Sequence, residues 1–372
     1  MSMQFSALNS NLIPALQLVA KAVSPKSTMP VLTGIYMNCE NNILQLVATD
    51  LELGIEVLLD VTASGTGKAV VPEKYITEIV RRAPSERIEF SANDDIREMN
   101  IRSGQASYTI KTLDPVDFPV FHKLEKGQSF SVNESILKRL IRYTSFAAAT
   151  NDTRRFLTGC YAVFGKNDIT FVGTNAYRLA KMTVQAEADV DNEVSAIIPV
   201  KTLNHLERFL EDTDTPVTIT LDERQIMFQK GNTTFVSRLI DGTYPDYKRI
   251  IPSAFETEIT IEREGLFHSI ERAALFAGDD SSGIRLDIGD LDVEVSSEVT
   301  EVGSFTDRIP VKKVGSDLRV VLRWQYLADV LRMLSDNSIT VKFAGKVRPV
   351  CLEEKTDEYD FMYLIMPFNT ES

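Results

Sequence analysis

A threefold internal repeat constrains this chain more than any other feature of it. Three segments occupy matching places: "SNLIPALQLVAKAVS" from residue 10, "NESILKRLIRYTSFAA" from 133 and "REGLFHSIERAALFAG" from 263. With Leu12, Ile136 and Leu266 aligned, the spacings are 124 and 130 residues. A second set, "VPEKYITEIVRRAP" from 71, "IPVKTLNHLERFLED" from 198 and "LRWQYLADVLRML" from 322, aligns Ile76, Leu203 and Leu327 at spacings of 127 and 124. Each repeat closes on a proline phrase, and Pro119, Pro245 and Pro367 lie 126 and 122 apart. Three markers thus agree on a period near 125 in a chain of 372 residues.

Each repeat carries two helix patterns separated by alternating strand patterns, such as "ILQLVATDLELGIEVLL" (43–59) and "PVTITLDERQIMFQKGNTTFVSRLI" (216–240). This predicts an α+β fold of three pseudo-repeated domains, 1–127, 128–255 and 256–372, each with two helices packed on one face of antiparallel sheet. The helices are amphipathic. In the third, Ile136, Leu137, Leu140 and Ile141 form one stripe and Lys138, Arg139 and Arg142 another. In the second helix of each repeat a polar pair recurs seven residues apart: Lys74 with Arg81, Lys201 with Arg208, Gln325 with Arg332. Seven residues is about two turns, so each pair shares a face.

The chain's net charge of −13 argues against nucleic acid if taken alone. Its distribution argues otherwise. The six helix windows, 9–24, 71–84, 132–148, 198–212, 261–278 and 322–334, carry a net +3, which leaves −16 for the rest of the chain. Negative charge is segregated away from the helices.

Motifs for catalysis or metal binding are missing from the sequence. His122, His205 and His268 match no zinc spacing and are expected at or near the surface. "SGTGKAV" (64–70) ends like a phosphate-binding loop, but Ala69 and Thr62 stand where that loop needs Ser or Thr and its first Gly; a hairpin turn is the expectation. "GDDSSG" (278–283) lacks the alternating ligands of a calcium loop and reads as a solvated turn. Dispersed carboxylates offer no spacing for an acid–base pair. Cys39, Cys160 and Cys351 are expected to be buried free thiols of a reducing cytoplasm. No run approaches ~18 apolar residues, and the first residues, "MSMQFSALNSN", show no signal-peptide pattern.

Seven phrases distributed along the chain carry a resemblance: "MPVL" (29–32), "VATDLELGIE" (47–56), "TLDPVDFP" (112–119), "RFLTG" (155–159), "GTNAYRLA" (173–180), "DGTYPDYKRIIP" (241–252) and "LIMPF" (364–368). In this order and spacing the sequence resembles the bacterial DNA sliding clamps, the beta subunits of DNA polymerase III. The resemblance implies a closed ring of two head-to-tail protomers, with basic helix faces lining a hole for duplex DNA and sheets forming the rim. It implies a non-catalytic processivity factor without cofactor or metal. The implied partners are a second copy of the chain, double-stranded DNA without sequence preference, DNA polymerase subunits, a clamp loader, and repair proteins with clamp-binding peptides; no membrane is involved. The rival reading is a three-domain protein-binding scaffold that encircles no DNA.

By register and resemblance, Lys74, Arg81, Arg142, Lys201, Arg208 and Arg332 face the DNA, joined by the loop residues Lys26, Asn151 and Arg154. The implied dimer seam pairs an edge strand of the first domain, bearing Tyr108 and Ile110, with one of the partner's third domain, beside Leu275 and Phe276. The implied peptide pocket comprises Leu157, Thr174, Ala176, Tyr177, Arg178, Leu179, Pro245, Ile250, Pro349, Leu364, Ile365, Met366, Pro367 and Phe368, with Thr174 and Arg178 as donors to the peptide. Two phrases depart from the family's usual wording. Where the family has Asp, then Gly or Ser, then His, this chain has Asn175, Ala176 and Tyr177, and its final phrase reads "MPFNTES" where the family commonly places Arg after Met-Pro and a hydrophobic residue.

Overall fold

In the computed structural model, residues 3–93, 97–119, 123–186, 190, 193–277, 283–297 and 303–368 are described. Among them are six α-helices: α1 Asn9–Val19, α2 Glu73–Arg81, α3 Glu134–Thr144, α4 Val200–Phe209, α5 Arg263–Ala274 and α6 Trp324–Met333. Each begins at the end of a strand, and the fourth residue of each is buried: Leu12, Ile76, Leu137, Leu203, Leu266 and Leu327. This register corrects one alignment. Leu137, not Ile136, is the counterpart of Leu12 and Leu266, because Ile136 is only half-buried on the flank of α3 while Leu137 points into the core.

The strands pair antiparallel throughout, in sheets of five, eight and twelve. The chain divides into two compact units, Met1–Ser135 with His205–Leu239, and Ile136–Asn204 with Ile240–Ser372. The division cuts the middle repeat because backbone ladders cross the repeat boundaries. In the first unit Leu53–Asp60 pairs with Thr233–Arg238, fusing strands of the first and second repeats into one eight-stranded sheet. In the second unit Arg178–Gln185 pairs with Tyr359–Ile365, fusing second and third repeats into a twelve-stranded sheet.

The "SGTGKAV" segment is not a hairpin. Thr62–Gly65 pairs with Gln4–Ser6 in the five-stranded sheet, whereas Gly67–Pro72 pairs with Gly34–Cys39 in the eight-stranded one. The chain changes sheets across Thr66 instead of folding back on itself. All three cysteines are buried and unpaired, and burial pushes the Cys160 thiol up to about 12. His205 is half-buried and His268 exposed, the latter 3.4 Å from Glu271. His122 and nearly all of "GDDSSG" lie outside the described residues. Among the described residues no helix is long and apolar enough to cross a membrane.

Candidate functional site

The site is built around the turn between two adjacent strands of the second unit, Asp168–Thr174 and Arg178–Gln185. Gly173 lets the first of these approach α3 closely, since a Cβ there would collide with the carbonyl oxygen of Thr144. The turn is then fixed by its own side chains. Thr174 Oγ1 donates to the Arg178 carbonyl at 2.6 Å and accepts from the Ala176 N–H at 3.1 Å. Asn175 Oδ1 accepts from the N–H groups of Tyr177 and Arg178, both at 3.0 Å. Asn and Thr fold the chain in this way because their short side chains mimic backbone acceptors. Ala176 takes a φ of +72°, a strained value for any residue with a Cβ.

Side-chain alternation sorts the two strands that meet here. Leu179 pairs with Leu364, and both join an apolar cluster with Val172, Ile197, Tyr244 and Cys351, against which Tyr247, Ile251 and Met362 are partly buried. Arg178 pairs with Ile365 in the neighbouring register, so these two point to the opposite face, toward α6 and the end of α3. There the Arg178 guanidinium, 11% exposed, donates to Asp329 at 2.6 Å and to the Phe146 carbonyl, and stacks over the rings of Phe146 and Tyr326. Burial pulls its pKa down, but Tyr363 and Asp329 outweigh it and hold the guanidinium more firmly charged.

The sequence-based expectation therefore needs correcting at the donors. Thr174 is consumed by the turn and Arg178 by a structural ion pair, so neither is free to bind a ligand. Ile365 is core, not pocket wall. Leu157 is buried but is not part of the Leu179–Leu364 cluster, and Pro349 is half-buried, just ahead of the strand Val350–Lys355. Pro245 and Ile250 are exposed, Ile250 at 50%, while their neighbours Tyr244 and Ile251 make the apolar contacts. What remains open beside the cluster is Tyr177, 59% exposed, with Ala176 and the final segment Met366–Pro367–Phe368. That segment is fastened at both ends: the Met366 N–H donates to the Tyr177 carbonyl at 2.9 Å and the Phe368 N–H to the Val321 carbonyl at 2.8 Å.

Two residues at this place went unread in the sequence. Tyr326 accepts the Asn175 amide at 2.9 Å and lies beneath Arg178. Arg323 has its guanidinium 5.8, 5.2 and 5.5 Å from the ring centres of Tyr177, Tyr326 and Phe368. Both sit at the start of α6, where no spacing motif marks them.

The nine residues expected at DNA are all exposed. Lys74 and Arg81, Lys201 and Arg208, and Gln325 and Arg332 occupy the second and ninth positions of α2, α4 and α6. Their electrostatic states differ. Arg81 is paired with Glu78 at 2.7 Å, Arg154 with Asp152 at 3.0 Å, and Arg332 with Asp329 and Glu271 at 3.5 and 3.6 Å. Lys26, Lys74, Arg142 and Arg208 have no carboxylate partner among the described residues. At the expected seam, Tyr108 and Ile110 share one face of Ala106–Lys111, the edge strand of the five-stranded sheet. Leu275 and Phe276 follow the end of α5 and are not on a strand; Leu275 is 79% exposed. The strand Thr306–Gly315 pairs along its first half with Asp292–Ser297 and along its second with Thr257–Glu262, which leaves one side of Thr306–Pro310 without a strand partner among the described residues.

Comparison with known proteins settles the family. The sequence matches the DNA polymerase III beta subunit in three consecutive blocks: the N-terminal domain over residues 3–122, the central domain over 131–246 and the C-terminal domain over 248–369. The chain belongs to the DNA polymerase III beta subunit family. The beta sliding clamps of Staphylococcus aureus and Staphylococcus epidermidis are each 30% identical over 378 residues, covering 99% of this chain and all of theirs. The DNA polymerase sliding clamp of Bacillus subtilis superposes with a TM-score of 0.93 at 30% identity, both chains covered in full. The beta subunit of Pseudomonas aeruginosa bound to griselimycin superposes with a TM-score of 0.92 at 27% identity, over 99% of this chain and all of that one. The beta-subunit fold accounts for the threefold repeat, and the family is that of a non-catalytic polymerase subunit.

Proposed function

We propose that this chain is a sliding clamp that confers processivity on DNA polymerase. Two copies, head to tail, close a ring around duplex DNA and tether polymerases to it. The observation that carries the reading is the match of all three domains, in order, to the DNA polymerase III beta subunit. The domain limits proposed are 1–127, 128–255 and 256–372. Exposed cations recurring in register on three helices support a DNA-facing surface that holds phosphate without reading bases. A cytoplasmic location belongs to the same reading, since three buried, unpaired thiols suit a reducing compartment. The rival, a scaffold that binds proteins but encircles nothing, is separated by topology. After loading onto nicked circular DNA, the protein should be lost when the circle is linearised; retention on the linear product overturns the ring.

The peptide site proposed lies where Tyr177, Leu179, Leu364 and Met366–Phe368 come together. Apolar side chains there, with an adaptable methionine, suit an extended peptide held by a few buried anchors, which gives the modest affinity that exchange of partners requires. Because Leu364 and Ile365 are core residues, the informative truncation ends the chain at Ile365. It is expected to lower the affinity for a fluorescein-labelled polymerase peptide bearing Gln and Leu-Phe anchors at least tenfold, read by anisotropy, while sedimentation still reports a dimer. Undiminished affinity removes the tail from the pocket.

A further inference from the structure

The proposed pocket contains a cation that has no counter-ion among the described residues. Arg323 stands at the entrance to α6, half-buried, with aromatic rings around its guanidinium: Tyr177 from the turn, Phe368 from the final segment and Tyr326 from α6. Rings take up the flat faces of a guanidinium and leave its N–H edge available. Of the five donors such a group carries, one makes a long hydrogen bond, Nη1 to the Tyr326 hydroxyl at 3.3 Å. No carboxylate pairs with Arg323 among the described residues. Asp329, on the same helix, is held by Arg178 and Arg332. The cage is held open by backbone: Phe368 is bound to Val321, two residues before Arg323, and the tail is bound to Tyr177 through Met366.

One of the three rings, Tyr177, stands where this chain departs from its family's usual wording, in the turn "NAY". A planar fork oriented by three rings binds a carboxylate in two parallel hydrogen bonds, and charge-assisted bonds of this kind are stronger than the neutral ones that Thr174 or a backbone amide could offer. We infer that Arg323 forms a carboxylate-binding subsite at the rim of the peptide pocket, and that this clamp selects linear peptides carrying Asp or Glu next to their apolar anchors. The inference rests on the pocket proposed above. It replaces the donors expected from sequence, Thr174 and Arg178, with one that has no carboxylate partner among the described residues.

The test uses the full-length dimer and a set of fluorescein-labelled peptides. One is neutral, bearing Gln and Leu-Phe anchors; the others carry a single Glu at each non-anchor position in turn. Anisotropy titrations in 0.1 M salt give the affinity ratio of each acidic peptide to the neutral one. At least one position is expected to bind five- to tenfold more tightly, and that ratio should collapse to about one in Arg323→Gln. Arg323→Lys should retain only part of it, because a lysine keeps the charge without the fork. Thermal melts of both variants establish that they are folded, and the ratio cancels any general loosening of the pocket. Ratios near one in the wild type, or a ratio that survives in Arg323→Gln, overturn the subsite while the pocket stands. Binding of the neutral peptide that is undiminished by truncation at Ile365 overturns the pocket itself, and the subsite with it.

Discussion

Glu134, the first residue of α3, is fully buried, yet it is charged. Burial pushes its pKa up, but Lys230 at 2.5 Å, the Thr213 hydroxyl and the Glu211 N–H at 2.9 Å pull it down to about 2, against an ordinary 4.5. The folded state thus binds this proton less readily than the unfolded chain. Its contribution to stability is complete above about pH 4.5 and is lost as pH falls toward 2. Glu134→Gln should cost roughly 3 kcal/mol at neutral pH, because it leaves Lys230 without its buried partner. It should also flatten the acid limb of the stability curve between those two pH values. Urea midpoints measured from pH 7 to 3 decide it, and parallel acid limbs in the two proteins would sink the assignment. Nothing in "VNES" announces a buried charge, since its partners lie roughly 80 to 100 residues away in sequence. The same limit applied at Arg178. Its residue type and place in a strand-end phrase were legible, but its direction is set by pairing with Ile365, and local periodicity cannot report that register.

Elements were far more legible than side-chain roles. All six helices fall within the segments read from amphipathic spacing, because each puts a leucine or isoleucine into the core one turn after a strand ends. The one-residue slip at Ile136 arose because "SIL" offers two adjacent apolar candidates and only tertiary packing chooses between them. An edge strand bearing Tyr108 and Ile110 is present, but Leu275 and Phe276 close a helix. We propose that the side of Thr306–Pro310 without a strand partner among the described residues is the backbone that pairs across the seam, since an unpaired edge must be covered or protected. Leu275→Ala with Phe276→Ala should therefore shift the protein to monomer without unfolding it. A sedimentation profile matching the wild-type dimer would place the seam elsewhere.

At the scale of the molecule, charge decides how DNA is held. The helix windows are net positive within a chain of −13, and the nine expected contacts divide into four cations without a carboxylate partner among the described residues, three ion-paired arginines, Lys201 and Asn151. Each phosphate neutralised by a free cation steepens the logarithmic salt dependence of binding by about 0.9. An arginine that must first leave a carboxylate contributes less. Replacing Lys26, Lys74, Arg142 and Arg208 together by alanine should reduce the salt slope by roughly 3 to 4, whereas replacing Arg81, Arg154 and Arg332 should change it by about 1 or less. Equal changes in the two variants would refute the distinction. The ladders that cross repeat boundaries have a consequence for synthesis. Leu53–Asp60 finds its partner in Thr233–Arg238, and Arg178–Gln185 in Tyr359–Ile365, each roughly 180 residues further along. At about 5–20 residues per second, the ribosome delivers each missing strand roughly 10 to 35 seconds after the one that awaits it. For that interval the nascent chain carries an open strand edge beside a nearly finished first domain. The protein is at its most vulnerable to misassociation on the ribosome, before the strand that protects it has been made.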